Sequence, residues 1–95
     1  MQSIRILGID YDEETRDFEE EDTIGESCEQ LCKIWIRPGL KRDLHDEAVL
    51  HEVMHQVNQR LAIGLNEDQV QRLSSGLYCV SKENNIQIIL PNSRG

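Results

Sequence analysis

The chain has 95 residues, which reads as one small domain over 1–95 with a modest core that a bound metal would usefully supplement. Hydrophobic residues make up 38% and charged ones 29%, a globular and soluble balance rather than a disordered one. Eighteen acidic against ten basic residues leave a net charge of −8, the wrong sign for nucleic acid or anionic lipid. No run approaches the ~18 apolar residues of a membrane span, and Met1-Gln2-Ser3-Ile4-Arg5 lacks the layout of a secretion signal. The expectation is a cytoplasmic protein.

In chain order, Ile4 and Ile6 alternate with polar neighbours and predict a half-buried strand over Ser3 to Leu7. Gly8 permits a bend, and Ile9, Tyr11 and Glu13 continue as a second extended piece. Eleven of the acids then fall between Asp10 and Glu29, against Arg16 alone. An acidic loop over about 12–26 is expected, too charged to pack. From Ser27 to Arg37 the alternation predicts a single two-faced strand, closed by Pro38-Gly39.

Two helices follow. The first is predicted over Asp43 to Leu61, with Val49, Leu50, Val53, Met54, Val57 and Leu61 at helical spacing and Asp43 or Asp46 as cap. The second opens with Asn66 and Gln69 at the spacing of a capping box, with Leu65 placed to staple onto Val70. Its expected buried stripe is Val70, Leu73, Leu77 and Val80, and Asn84-Asn85 ends it. Ile86 to Leu90 suggests one more short strand, and 91–95 a flexible tail. Cys28, Cys32 and Cys79 form no C-x-x-C pair and read as reduced, packed thiols. Cys28 and Cys32 would share a strand face, but no further Cys or His completes a tetrahedral metal set.

The chemistry is concentrated in His51-Glu52-Val53-Met54-His55, an H-E-x-x-H. Four residues advance a helix by about 400°, so His51 and His55 project from one face and together can ligate one zinc ion. Glu52 is offset by about 100°, beside the metal, where it can take a proton from an activated water and return it to a leaving amine. A catalytic zinc needs a third protein ligand. The second helix begins with Glu67-Asp68, and either carboxylate can supply it or simply stabilise the helix dipole. Asn58 and Leu61 stand where a metzincin needs Gly and His, which excludes that subclass. His45 contributes a ligand only if the helix starts late.

The stretch Val49-Leu50-His51-Glu52-Val53-Met54-His55, followed by Asn66-Glu67-Asp68-Gln69-Val70-Gln71-Arg72-Leu73-Ser74, resembles the small HExxH zincins of phages and mobile elements. Those are similar to the ImmA/IrrE-like metallopeptidases. In that family the metal helix is followed by a Glu-x-x-Ala-x-x-Phe-Ala segment whose Glu is the third zinc ligand. Matched here, Glu67 takes the ligand position, with Val70, Leu73 and Ser74 where the family has Ala, Phe and Ala. The resemblance implies an α+β fold of minimal zincin type, with N-terminal antiparallel β-strands packed on two antiparallel helices. It also implies a gluzincin-like Zn2+ site of His51, His55 and Glu67 with Glu52 as general base.

The family further implies that a peptide or protein substrate pairs with the strand before the metal helix, here Lys33 to Arg37. Trp35 would then line the cleft or pack in the core. Tyr11, Tyr78 and His45 are the available donors for an oxyanion. The expected function is a zinc-dependent metallopeptidase. The alternatives are a non-catalytic zinc-binding accessory protein and an acidic decoy that occupies a basic partner through Asp10 to Glu29.

Overall fold

A computed structural model describes residues 2–87. The chain forms β1 (Gln2–Ile6), β2 (Ile9–Thr15), β3 (Gly25–Cys28), β4 (Lys33–Ile36), α1 (Arg42–Arg60) and α2 (Glu67–Glu83). The fold is α+β, as expected, with both helices C-terminal to the sheet. β1 and β2 join through Leu7-Gly8, whose φ values of 49° and 85° are both left-handed, the two-residue turn that matches strand twist.

The strand order is β1-β2-β4-β3. β2 pairs β4 in parallel, whereas β1/β2 and β3/β4 are antiparallel. The sheet is therefore mixed, not antiparallel throughout. After β2 the chain overshoots to the far edge, runs back as β3, and returns as β4 in the gap.

The acidic stretch is correspondingly shorter than 12–26. Residues 12–15 belong to β2 and 25–26 to β3, leaving 16–24 as the connection. That connection is tied down: the Arg37 guanidinium donates to the carbonyls of Phe18, Glu20 and Thr23. The single strand expected over Ser27 to Arg37 is instead a hairpin, with Cys28 opposite Lys33. Its turn contains no Gly, Pro or Asn, and Cys32 carries the left-handed φ of 52°. Without a turn residue in the sequence, the break was invisible.

Ile4, Ile6, Tyr11, Ile34 and Ile36 face Ala48 and Val49 of α1 to form the core. Arg60 at the end of α1 donates to the carbonyls of Ile6 and Leu7, so the C-terminal end of the helix is tied to the β1–β2 hairpin. Among the described elements α2 packs only on α1. The cross-helix contacts run Tyr78 to Asp43, Ser75 to Glu47, Ser74 to His51 and Glu67 to His55, an antiparallel order. The strands thus pack on one helix, and α2 forms an outer layer. Its expected stripe is mostly open: Val70 is buried, but Leu73, Leu77 and Val80 are 40–48% exposed.

The helix caps also differ from expectation at α1. Lys41 is its N-cap with no side-chain cap bond, and Asp43 instead sits in the first turn. Cys28, Cys32 and Cys79 are free thiols, the first two half-buried and Cys79 exposed. The expected strand over Ile86 to Leu90 and the tail 91–95 lie largely outside the described residues; Ile86 and Gln87 themselves are not in a strand.

Candidate metal centre

His51 and His55 lie one turn apart on α1, both half-buried. Their rings meet edge to face at 4.6 Å and 75°, with the two Nε2 atoms 3.0 Å apart. Glu52 is only 5% exposed, and its carboxylate joins the two imidazoles in a group whose ligand atoms all lie within 4.8 Å of one another. These three residues are close enough to hold a metal ion.

Glu67 arrives from the other helix. The capping box is present in full: the Asn66 side chain accepts from Gln69 N–H at 2.8 Å, and the Gln69 side chain accepts from Asn66 N–H at 2.9 Å. Asn58 holds the connection by bonding both the N–H and the carbonyl of Leu65. So fixed, Glu67 sits in the first turn of α2 with its carboxylate 2.6 Å from His55 Nε2 and 3.3 Å from His51 Nε2. A tetrahedral ion with ligand bonds of about 2.0–2.1 Å separates its donor atoms by about 3.3 Å. The 2.6 Å contact is made by Oε1; through Oε2 the edges of the His51–His55–Glu67 triangle are 3.0, 3.3 and 3.3 Å. Asp68 instead pairs with Arg72 at 3.0 Å and is 74% exposed.

Two sets of polar contacts orient the site. Ser74, fully buried on α2, donates its hydroxyl to the Gln71 carbonyl. Its oxygen is then free to accept Nδ1–H of His51 at 3.3 Å, the tautomer that leaves the Nε2 lone pair for a metal. The second set ends on Glu52. Arg60 donates to the Tyr11 hydroxyl, which donates to Gln56 Oε1 at 2.8 Å. Gln56 Nε2 donates to Ser27 Oγ at 2.9 Å, and the Ser27 hydroxyl in turn favours the ionised Glu52 carboxylate.

Every direction in this chain is set by its ends, because a guanidinium only donates and a carboxylate only accepts. Burial pushes the Glu52 carboxyl above the usual carboxylate range, while the Ser27 hydroxyl and the two imidazoles pull it back. Gly25 makes room for the group. A Cβ there would lie 3.3 Å from both Glu52 Oε2 and Ile36 Cδ1.

The histidines and Glu52 open into a cleft of about 550 Å³ floored by α1 and walled by 22–27 on one side and by Glu67 and Gln71 on the other. None of the three expected oxyanion donors faces it. Tyr11 is buried on Gln56. Tyr78 donates to Asp43 at 3.0 Å, and burial together with that carboxylate pushes its phenol up to about 12. His45 bridges Glu13 at 2.7 Å and Asp46 at 3.0 Å, which also removes it as a ligand.

Trp35 likewise lies away from the cleft and the core. It alternates with buried Ile34 and Ile36, so it stands on the outer face of the sheet under the Arg16 guanidinium at 4.2 Å. β4 is an interior strand, and the edge beside the site is β3. The residues that sequence reasoning missed are Ser27, Gln56 and Ser74. Only Gln56 carried a signal, lying four positions after Glu52 and hence on the same side of the helix.

Among the described residues no helix is long and apolar enough to cross a membrane. Comparison of the chain with family models, curated proteins and solved structures returns no match.

Proposed function

We propose that the protein is a minimal zinc-dependent metallopeptidase of the zincin type, related in plan to the ImmA/IrrE-like enzymes. The reading rests on one observation above the others: Glu67, from a second helix, reaches the same two Nε2 atoms that the H-E-x-x-H spacing brings together. His51, His55 and Glu67 hold Zn2+ in this reading. When bound, the ion supplies a Lewis acid and lowers the pKa of water.

The chain's own residues do the rest. Ser74 keeps the His51 Nδ1 protonated, and the capping box keeps Glu67 at the first turn. Glu52, buried and aimed by Ser27, is placed to accept a proton from the attacking water and return it to the departing amine. A peptide laid along the free edge of β3 gains main-chain pairing beside these groups. β3 replaces β4 in this role because β4 has a strand on both sides.

One observation favours a second reading, a zinc-binding protein without hydrolysis: Tyr11, Tyr78 and His45 all point elsewhere, leaving no side chain of those three to stabilise an oxyanion. Three variants test both readings. Glu52→Gln should keep about one zinc per chain and abolish hydrolysis of a peptide mixture. Glu67→Ala removes one of three protein ligands and should lose zinc on dialysis. Asp68→Ala should behave as wild type. Zinc retained by Glu67→Ala overturns the ligand set; zinc bound by wild type without any cleavage selects the second reading.

A further inference from the structure

The side of α1 that floors the cleft runs from Leu44 to Gln59. The fifteen helical steps between them cover about 22 Å, the length of about six or seven extended residues. The groove is long enough for a peptide to reach well beyond the metal centre, and its charge is one-sided. Asp22, Glu26, Glu47, Glu52 and Glu67 line it, and no lysine or arginine does.

Most of these carboxylates are accounted for. Glu52 and Glu67 belong to the metal centre, and Glu26 pairs with Arg16. Elsewhere in the fold Glu14 pairs with Lys33, Glu13 with His45, and the buried Asp46 with Arg42 and His45. Glu47 differs. It is half-buried, one helical turn before His51, and among the described residues its partner is a hydroxyl, Ser75 Oγ at 2.7 Å. That bond engages one carboxylate oxygen of a side chain that lines the cleft.

Beside Glu47 on the same helical face stands Leu44, 42% exposed and lining the cleft. An apolar wall ending in an unneutralised carboxylate matches a side chain with an aliphatic stem and a cationic head. Asp22 adds a second acid from the opposite wall.

We propose that the cleft selects basic peptides, seating a lysine or arginine side chain along Leu44 with its cationic head on Glu47. This rests on the reading that the cleft receives an extended peptide, and it makes Glu47 the specificity-determining residue. The metal centre fixes where the chain is held; Glu47 fixes which side chain is preferred one turn away.

The test measures binding, so that it does not depend on turnover. An acetylated, amidated alanine hexapeptide carrying one arginine is titrated into the full chain by NMR, with and without added zinc. The same peptide with citrulline, which keeps the shape and removes the charge, is the comparison. The arginine peptide should bind about fivefold to tenfold more tightly, the effect of one ion pair at a partly buried position, with shifts at β3 and at 44–55. Glu47→Gln preserves the Ser75 bond and should erase the difference, and Glu47→Lys should reverse it in favour of a peptide carrying glutamate.

The triple change Glu19→Gln, Glu20→Gln and Glu21→Gln removes more charge outside the cleft and should leave the ratio intact. Equal affinity for the two peptides, no binding by either, or a ratio that survives Glu47→Gln would overturn the proposal. Selective binding without any hydrolysis would sink the peptidase reading alone.

Discussion

Gln56 shows how the site is held at the level of single residues. It is 1% exposed, and its amide is the middle of the chain that ends on Glu52. Tyr11, fully buried, relies on it as acceptor. Replacing Gln56 with Leu leaves the phenol and Ser27 short of a partner, and a buried polar group so stranded costs about 1–3 kcal/mol. Tyr11→Phe alone should cost about 1 kcal/mol. The double variant replaces both partners by apolar groups, so its loss should be smaller than the two single losses added together. Urea denaturation of the four proteins closes the cycle, and strictly additive losses would show that the hydroxyl and amide are not coupled.

The residues of the proposed metal site were legible because helical spacing brings His51, Glu52 and His55 together, and the capping box puts Glu67 and Asp68 in the first turn of α2. Ser27 and Ser74 were not legible. Their roles depend on which elements fold against them, and serine is common on any surface.

At the level of elements, sequence pattern succeeded where local chemistry decides and failed where neighbours decide. α2 was expected to bury Leu73, Leu77 and Val80, yet it turns Ser74, Ser75 and Tyr78 towards α1. The cause is the face it meets. α1 presents Asp43, Glu47 and His51 there, and hydroxyls satisfy them, Tyr78 and Ser75 by donating and Ser74 by accepting, where leucines would strand them. The parallel pairing of β2 with β4 was equally hidden, because it depends on where a long connection returns.

One inter-element contact gives a pH signature. His45 ties α1 to β2 through Glu13 and to its own helix through Asp46. Burial works against its charge, yet the Asp46 and Glu13 carboxylates outweigh that and raise its pKa above 6.5. A raised histidine pKa means that the folded state holds the proton more tightly than the unfolded one. The stabilisation is therefore fully present below the unfolded value of about 6.5 and is lost as pH rises through the folded value. The stability gap between wild type and His45→Gln should narrow over that rise in denaturant titrations. A gap that widens with pH would mean that His45 is neutral in the fold.

For the whole molecule, the weak point is the attachment of its outer layer. α1 is fastened to the sheet by the isoleucine core and by Arg60, whereas among the described elements α2 touches only α1, and it contributes Val70 as its one buried aliphatic side chain. Its other cross-helix contacts are polar and partly exposed, the kind worth least in water. An ion held by His51 and His55 on α1 and by Glu67 on α2 would join the two layers at the end where α2 begins. The unfolded chain has no assembled site, so such binding adds to stability, by about 2.7 kcal/mol when free metal is at 100 times its Kd.

Chelation by EDTA should therefore lower Tm, and hydrogen exchange should quicken in α2 well before it quickens in β1, β2 or β4. Glu67→Ala should already exchange fast in α2 and respond little to the chelator. If metal removal is verified and α2 exchanges no faster, the helix is held by its packing on α1, and the ion, where bound, serves chemistry without clasping the fold.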